Sequence, residues 1–117
     1  AVPGTQFDEI EKHRSIQRQE NDLLWKLLTS PQIMIPSPQP WHRHDIHLRE
    51  IEDEMNSVEW ISAAEAEIGR LGNVTKSPFL MGWTTHRNTH IQFLYSVLDG
   101  EGQPAPQEES SPQDKPQ

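Results

Sequence analysis

The stretch that decides the fold is IEDEMNSVEWISAAEAEIGRL, residues Ile51–Leu71. Its apolar residues recur at steps of three and four, the spacing of one face of an α-helix. They are Ile51, Met55, Val58, Ile61, Ala64, Ile68 and Leu71. Charged residues lie between them, and the following Gly72-Asn73 favours the left-handed backbone at which helices end. The pattern predicts one long helix over about 43–71.

A helix is predicted on each side of this one. The first, over about 5–29, begins at Thr5, whose hydroxyl can cap the helix, and ends by Pro31. Its apolar residues are sparse in the middle and dense in LLWKLL. The third, over about 77–99, begins with Ser77-Pro78, a capping residue followed by proline at the first helical position. Its apolar face also carries two histidines.

Two segments break the helical pattern. Residues 30–41 are rich in proline, which removes backbone donors and holds the preceding residues extended. We expect this connector to lie across a groove through its apolar Ile33, Met34 and Ile35. Residues 100–117 are rich in Pro, Gln, Glu and Ser and lack apolar periodicity, which is typical of disordered chains. They are predicted to be an acidic, proline-rich disordered tail or linker.

The fold class predicted from these segments is all-α. Amphipathic helices of this length bury their apolar faces only by packing on one another. The simplest arrangement is an antiparallel three-helix bundle over residues 5–99, because the short loop near Gly72 pairs the second and third helices as a hairpin. No alternation of period two competes with this interpretation.

The composition excludes several classes of function. The net charge of -8 argues against nucleic acid as a partner, because phosphate backbones are bound by clustered cations. No apolar run approaches 18 residues, so we expect no membrane insertion by this segment. The chain has no cysteine, which removes disulfides, thiolate nucleophiles and cysteine-based metal sites.

The histidines form the pattern closest to a chemical site. Five of six lie in WHRHDIH, residues 41–47, and HRNTH, residues 86–90. His86 and His90 stand one turn apart on a helix and could chelate a metal ion, to which Asp45 or Glu50 could add oxygen ligands. In the alternative, both residues are half-buried between packed helices, with one ring nitrogen in a hydrogen bond. The histidines of the first motif are then solvated residues around a helix start.

No metal and no cofactor is predicted, because structural zinc normally has four ligands and no outer shell is evident. The metal hypothesis stays open for His86 and His90. An enzyme is not predicted either. Serine, histidine and acid side chains are present, but the sequence has no nucleophile elbow and no glycine-rich phosphate loop.

Tryptophan is frequent for so polar a chain, with four residues. Trp25 and Trp83 belong to apolar faces and are expected in the core. Trp41 and Trp60 lie at the edge of the second helix, where an exposed indole would mark a partner surface. For Trp60, core and interface remain equal alternatives.

Helix two, with Leu48, Ile51, Met55, Ser57-Val58-Glu59-Trp60 and Ile68, resembles the second helix of the N-terminal domain in syntaxin-6 type SNAREs of the trans-Golgi and endosomes. The Leu24–Leu28 segment is similar to the end of that domain's first helix. Arg87, Ile91, Phe93 and Val97 resemble its third. The resemblance spans residues 7–99, although the connector here is longer and richer in proline.

The resemblance implies a non-catalytic helical interaction domain in vesicle traffic, on the cytoplasmic face of Golgi or endosomal membranes. Its expected partners are proteins, such as a tethering-complex subunit or a SNARE helix. Trp60 and Arg87 carry over as surface candidates, and Trp41 joins them as an aromatic residue at the edge of the second helix. The alternative is a structural coiled-coil subunit of a larger helical assembly, in which partner helices complete the sparse face of the first helix.

Overall fold

The structure, a computed structural model, describes the backbone of residues 5–100 and the side chains of residues 8–96. Within that range the protein is all-helical, as predicted, and contains no strand. The α-helices are α1 (Thr5–Trp25), α2 (His44–Met55), α3 (Val58–Leu71) and α4 (Pro78–Gly100). Single 3-10 turns follow α1 at Lys26–Leu28 and precede α4 at Val74–Lys76. The tail predicted beyond Gly100 lies outside the described residues.

The single helix predicted over 43–71 is wrong, because the chain breaks it at Asn56 and Ser57. The Ser57 hydroxyl donates to the Glu54 carbonyl at 2.7 Å and accepts from the Trp60 amide at 3.1 Å, so it caps α3. Short polar side chains compete with the helix for backbone hydrogen bonds. The apolar spacing continues across the break, which is why periodicity alone concealed it.

Two predicted helix ends are confirmed. Gly72 closes α3 with φ of 77°, in the left-handed region that glycine adopts without cost. At the start of α4, the Leu80 amide donates to the Ser77 hydroxyl at 3.1 Å, and Pro78 occupies the first helical position. The same hydroxyl donates to Oε1 of Glu67 at 2.8 Å, which ties α3 to α4.

Helix α2 packs against both α1 and α4, while α3 contacts mainly the end of α2 and the turn before α4. The antiparallel three-helix bundle is therefore not confirmed. The connector packs against the core through Ile33 and Ile35, as predicted. The prediction is wrong for Met34, which is 85% exposed. None of the described helices has an apolar stretch long enough to cross a bilayer.

The apolar core occupies one half of the interior. It consists of Leu24, Leu27, Ile51, Trp60, Phe79, Leu80 and Trp83. The ring of Trp60 stacks on Phe79 at 5.7 Å between centroids and meets Trp83 edge-on at 5.8 Å. Gly82 lets α4 approach the turn after α1, because a Cβ there would collide with Cδ1 of Leu27.

The other half of the interior is polar. Helix α1 turns His13, Gln17, Glu20 and Asn21 inward, and among its described side chains the first buried apolar one is Leu24. Burying a polar side chain costs about 1–3 kcal/mol unless its hydrogen bonds are replaced. The partners of these side chains therefore decide what the buried polar half can do.

Candidate metal centre

All six histidines of the chain meet in this polar half. We call them the histidine cluster: His13, His42, His44, His47, His86 and His90. One of them lies on α1 and two lie on α4, and the other three lie at or just before the start of α2. His47 and His90 are fully buried, and their rings lie 4.9 Å apart between centroids. The ring of His42 stacks on His47 at 4.3 Å.

Helical spacing explains why these side chains converge. His44 and His47 are three residues apart on α2, and His86 and His90 are four apart on α4, so each pair shares a face. On α1 the inward residues follow the same steps, from His13 through Gln17. Ligand sites in helical bundles are built in this way from facing helices.

Gln17 fixes the tautomers of two imidazoles. Its Oε1 accepts from Nδ1 of His47 at 2.8 Å and from Nε2 of His90 at 3.2 Å, and its amide nitrogen donates to Asn21 at 2.9 Å. A neutral imidazole carries one N–H and one lone pair. With the N–H groups directed to Gln17, the lone pairs are on Nε2 of His47 and Nδ1 of His90. Such outer-shell bonds are typical of metal-binding histidines.

Those two lone pairs face other imidazoles. Nδ1 of His13 lies 3.0 Å from Nε2 of His47, and Nδ1 of His44 lies 2.7 Å from Nδ1 of His90. Once His44 donates from Nδ1, its Nε2 carries a lone pair. That buried atom has no hydrogen-bond partner among the described residues. At least one buried nitrogen lone pair of the cluster therefore has no proton to accept within the described residues.

Glu20 and His86 form a second unusual contact. Oε1 of Glu20 lies 3.0 Å from Nε2 of His86, and the two side chains are only 7% and 3% exposed. The atoms are nevertheless not aligned as a hydrogen bond, and neither has another partner within the described part of the chain. Two ligands on one tetrahedral zinc ion stand roughly 3.3 Å apart, given bonds of about 2.0–2.1 Å. The spacing of this pair is close to that distance.

Two sets of three donors satisfy the distances of a metal site. The first, the carboxylate triad, is Glu20, His86 and His90, all buried. The second, the histidine triad, is His42, His47 and His90. Within each set, one ligand atom per residue lies within 4.8 Å of the others. His90 belongs to both sets.

The electrostatic environment favours neutral imidazoles. Burial first, and the neighbouring imidazoles second, lower the pKa of His47 to about 3 and that of His90 to about 2. Burial likewise lowers the pKa of His42 and of His44. These four rings are therefore uncharged at neutral pH, which is the form that binds metals.

Sequence reasoning placed the oxygen ligands wrongly. Asp45 is exposed and pairs with Arg43 at 3.2 Å, while Glu50 accepts from Arg14 and Arg18. Neither belongs to the cluster. The alternative of solvated histidines around the α2 start is also wrong for two of the three, because His44 and His47 are buried.

The residues that sequence reasoning missed are His13, Gln17 and Glu20. Their signal was the sparse apolar face of the first helix. The buried polar residues of α1 are spaced by three or four residues and lie on the same helix face as Leu24. The third predicted helix carries two histidines on its own inner face. Together the two faces indicate a polar layer shared by two helices.

The three residues predicted to bind partners lie in different environments. Trp41 is 74% exposed in the turn before α2. Arg87 is half-buried on α4 and pairs with Glu52 of α2 at 3.0 Å. Trp60 is only 8% exposed and belongs to the apolar core. Of the two alternatives for Trp60, the structure places it in the core.

Comparison of the chain with protein-family models, with curated proteins and with solved structures gave no match.

Proposed function

We propose that the protein binds one divalent transition-metal ion through the carboxylate triad, Glu20, His86 and His90. The observation that carries the proposal is the 3.0 Å approach of two buried ligand atoms, Oε1 of Glu20 and Nε2 of His86, outside hydrogen-bond geometry. A bridging ion would satisfy both atoms together. His90, one turn along α4 from His86, supplies the third ligand.

A purely structural role accounts poorly for this interior. Buried polar groups destabilise a fold when they are unpaired, and apolar replacements of similar size are often more stable. Here Glu20 of α1, His44 of α2 and His86 of α4 each have a buried ligand atom without a hydrogen-bond partner among the described residues. Imidazole and carboxylate donors suit Zn²⁺ and its first-row neighbours rather than Mg²⁺ or Ca²⁺, which prefer oxygen ligands.

The carboxylate triad is favoured over the histidine triad by charge. A buried dication is stabilised by the negative charge of Glu20, whereas the histidine triad offers only neutral rings. The two triads also compete, because a neutral His90 has a single lone pair. We therefore expect one ion per chain. Binding replaces the contact between His44 and His90 with a metal–nitrogen bond.

Metal binding is tested on chelator-treated protein dialysed against Zn²⁺ or Co²⁺, with the bound metal measured by elemental analysis. One equivalent per chain is expected. Glu20→Gln and His90→Gln should each weaken binding at least tenfold, while the exposed Glu65→Gln should bind as the parent protein does. Zn²⁺ should also perturb the imidazole resonances of His86 and His90.

The absence of saturable binding would refute the proposal, as would unchanged affinity in Glu20→Gln. Unfolding of each variant is followed by circular dichroism, so that a loss of fold is separated from a loss of ligand. If His90→Gln fails to fold, Glu20→Gln alone decides, because glutamine keeps the size of the side chain and removes its charge. Loss of binding in His42→Ala with retention in Glu20→Gln would assign the ion to the histidine triad instead.

A protein-interaction role is a second candidate, and the outer face of α3 supports it. Val58 is 76% exposed, and Ile61 and Ile68 are 43% and 44% exposed. A helical partner, as the SNARE resemblance implies, would cover such a face. The test measures binding of a SNARE-motif helix to the parent protein and to Ile61→Ser/Ile68→Ser. Sedimentation separates the two interaction classes, with a monomer expected for a SNARE-type domain and self-association for an assembly subunit.

A further inference from the structure

A surface cavity is lined by one member of the carboxylate triad, His86. Its volume is about 320 Å³, and it lies between the connector at 35–38 and helix α4. Thr85, His86 and Thr89 line its α4 side. Thr85 is exposed and His86 is buried, so the cavity wall extends from the surface to the side chain of a proposed ligand.

The connector forms the opposite wall. Pro36 and Pro38 line the cavity, and proline restricts the backbone to a narrow range of φ. Ile35 anchors the same segment because it packs against the apolar core. The opening is therefore built into the folded chain rather than left by a loose loop.

The carboxylate triad has three protein ligands. Among the described residues, no fourth histidine, aspartate or glutamate has a ligand atom within 4.8 Å of the ligand atoms of Glu20, His86 and His90. Structural zinc sites are closed by four protein ligands, whereas sites with three keep a position for water or another small ligand. Two histidines and one carboxylate also form the open set of many iron sites.

We infer that the ion held by the carboxylate triad keeps an exchangeable coordination position, which water and small anions reach through the connector cavity. The inference rests on the proposed function. It makes the site an open one, able to bind an external ligand, rather than a closed structural centre. His86 links the two features, since it belongs both to the triad and to the cavity wall.

The test uses the full chain loaded with Co²⁺, whose visible absorption depends on its ligands, and azide as the small anion. Azide should change the spectrum in a saturable manner. Thr85→Trp, at the cavity mouth, should slow azide association at least tenfold without changing Co²⁺ affinity. Asn88→Trp provides the control, because Asn88 is exposed on α4 outside the cavity lining.

The outcomes separate this inference from the proposed function. If Co²⁺ binds and azide leaves the spectrum unchanged, the site is closed and this inference is wrong, while the proposed metal binding stands. If no Co²⁺ binds, both fail. If Thr85→Trp and Asn88→Trp slow azide to the same extent, or neither does, the connector cavity is not the route.

Discussion

The Nδ1 atoms of His44 and His90 lie 2.7 Å apart and join α2 to α4. One of the two must carry a proton and the other a lone pair, because two N–H groups repel at this distance. The contact therefore exists only while at least one ring is neutral. This requirement makes the packing of the two helices dependent on pH.

Acid should destabilise the protein from about pH 6.5 downward. His47 and His90 have pKa values of about 3 and about 2 in the folded protein, below the ordinary value of 6.5. The unfolded chain thus binds more protons between these limits. Their stabilising contribution is complete above pH 6.5 and falls below it, by at most about 1.4 kcal/mol per pH unit for each proton.

Urea unfolding at several pH values between 7.5 and 4 measures this effect in the metal-free protein. A variant that cannot titrate at one position, His47→Gln, should show a shallower dependence on pH. A stability that stays constant from pH 7 to pH 5 would contradict the buried, neutral state of His47 and His90.

Gln17→Leu should destabilise the metal-free protein and weaken metal binding. The substitution keeps the size of the side chain but leaves the N–H groups of His47 and His90 without their acceptor. A buried donor without a partner costs about 1–3 kcal/mol. Removing an outer-shell partner typically lowers metal affinity 10–100-fold. Chemical unfolding and metal titration measure the two effects separately.

Gln17→Glu is the matched control, since it retains an acceptor at the same place. It should restore metal affinity toward that of the parent protein or above it. Equal affinity in Gln17→Leu and the parent would show that Gln17 has no role in positioning the imidazoles.

Ser77→Ala should raise the pKa of Glu67. That pKa lies below the ordinary value, first because the Ser77 hydroxyl donates to the carboxylate, and secondly because Arg70 bonds it. Burial acts in the opposite direction. The lowered pKa stabilises the fold above the unfolded value of 4.5, and this contribution is lost as the pH falls.

Carboxyl titration by NMR gives the result directly. The pKa should rise in Ser77→Ala and also in Arg70→Ala, because each variant removes a contact that lowers it. An unchanged pKa in Ser77→Ala would contradict the role of the hydroxyl. Ser77→Ala should also cost about 1 kcal/mol of stability, because the cap of α4 is lost.

Two glycine substitutions in α3 should have opposite signs. Gly72→Ala places a Cβ at φ of 77° and should cost roughly 1 kcal/mol, although no atom crowds the site. Gly69→Ala lies within the helix in open space and should stabilise by about 0.5–1 kcal/mol. Thermal unfolding of the two variants tests both signs. A stabilising Gly72→Ala would contradict the left-handed cap.

The all-helical class and several helix ends could be predicted from the sequence because they depend on local chemistry. Periodicity, the Ser77-Pro78 start and the Gly72 stop are each contained in a few adjacent residues. The break at Ser57 could not be predicted from periodicity, because the apolar positions of α2 and α3 continue in phase. Only the capping chemistry of one side chain distinguishes two helices from one.

The site was harder to predict because its parts are distant in sequence. Gln17 and His90 are 73 positions apart, yet they share a hydrogen bond. Paired histidines on one helix were visible from spacing, whereas the role of Glu20 required knowledge of which α1 face is buried. A helix face with few apolar residues can mean that a partner helix is missing or that the face packs into a polar interior. Residues 13–21 are an example of the second case.

The buried face of α1 is polar in its earlier turns and apolar at its C-terminal end, and this division has a consequence for motion. Leu24 anchors its C-terminal end, and Leu27 anchors the 3-10 turn that follows. The turns before Leu24 are held by polar contacts, which contribute little hydrophobic free energy. Those turns can open as a unit without melting the remainder. An ion on Glu20 would fasten them to α4, so that occupancy and local order rise together.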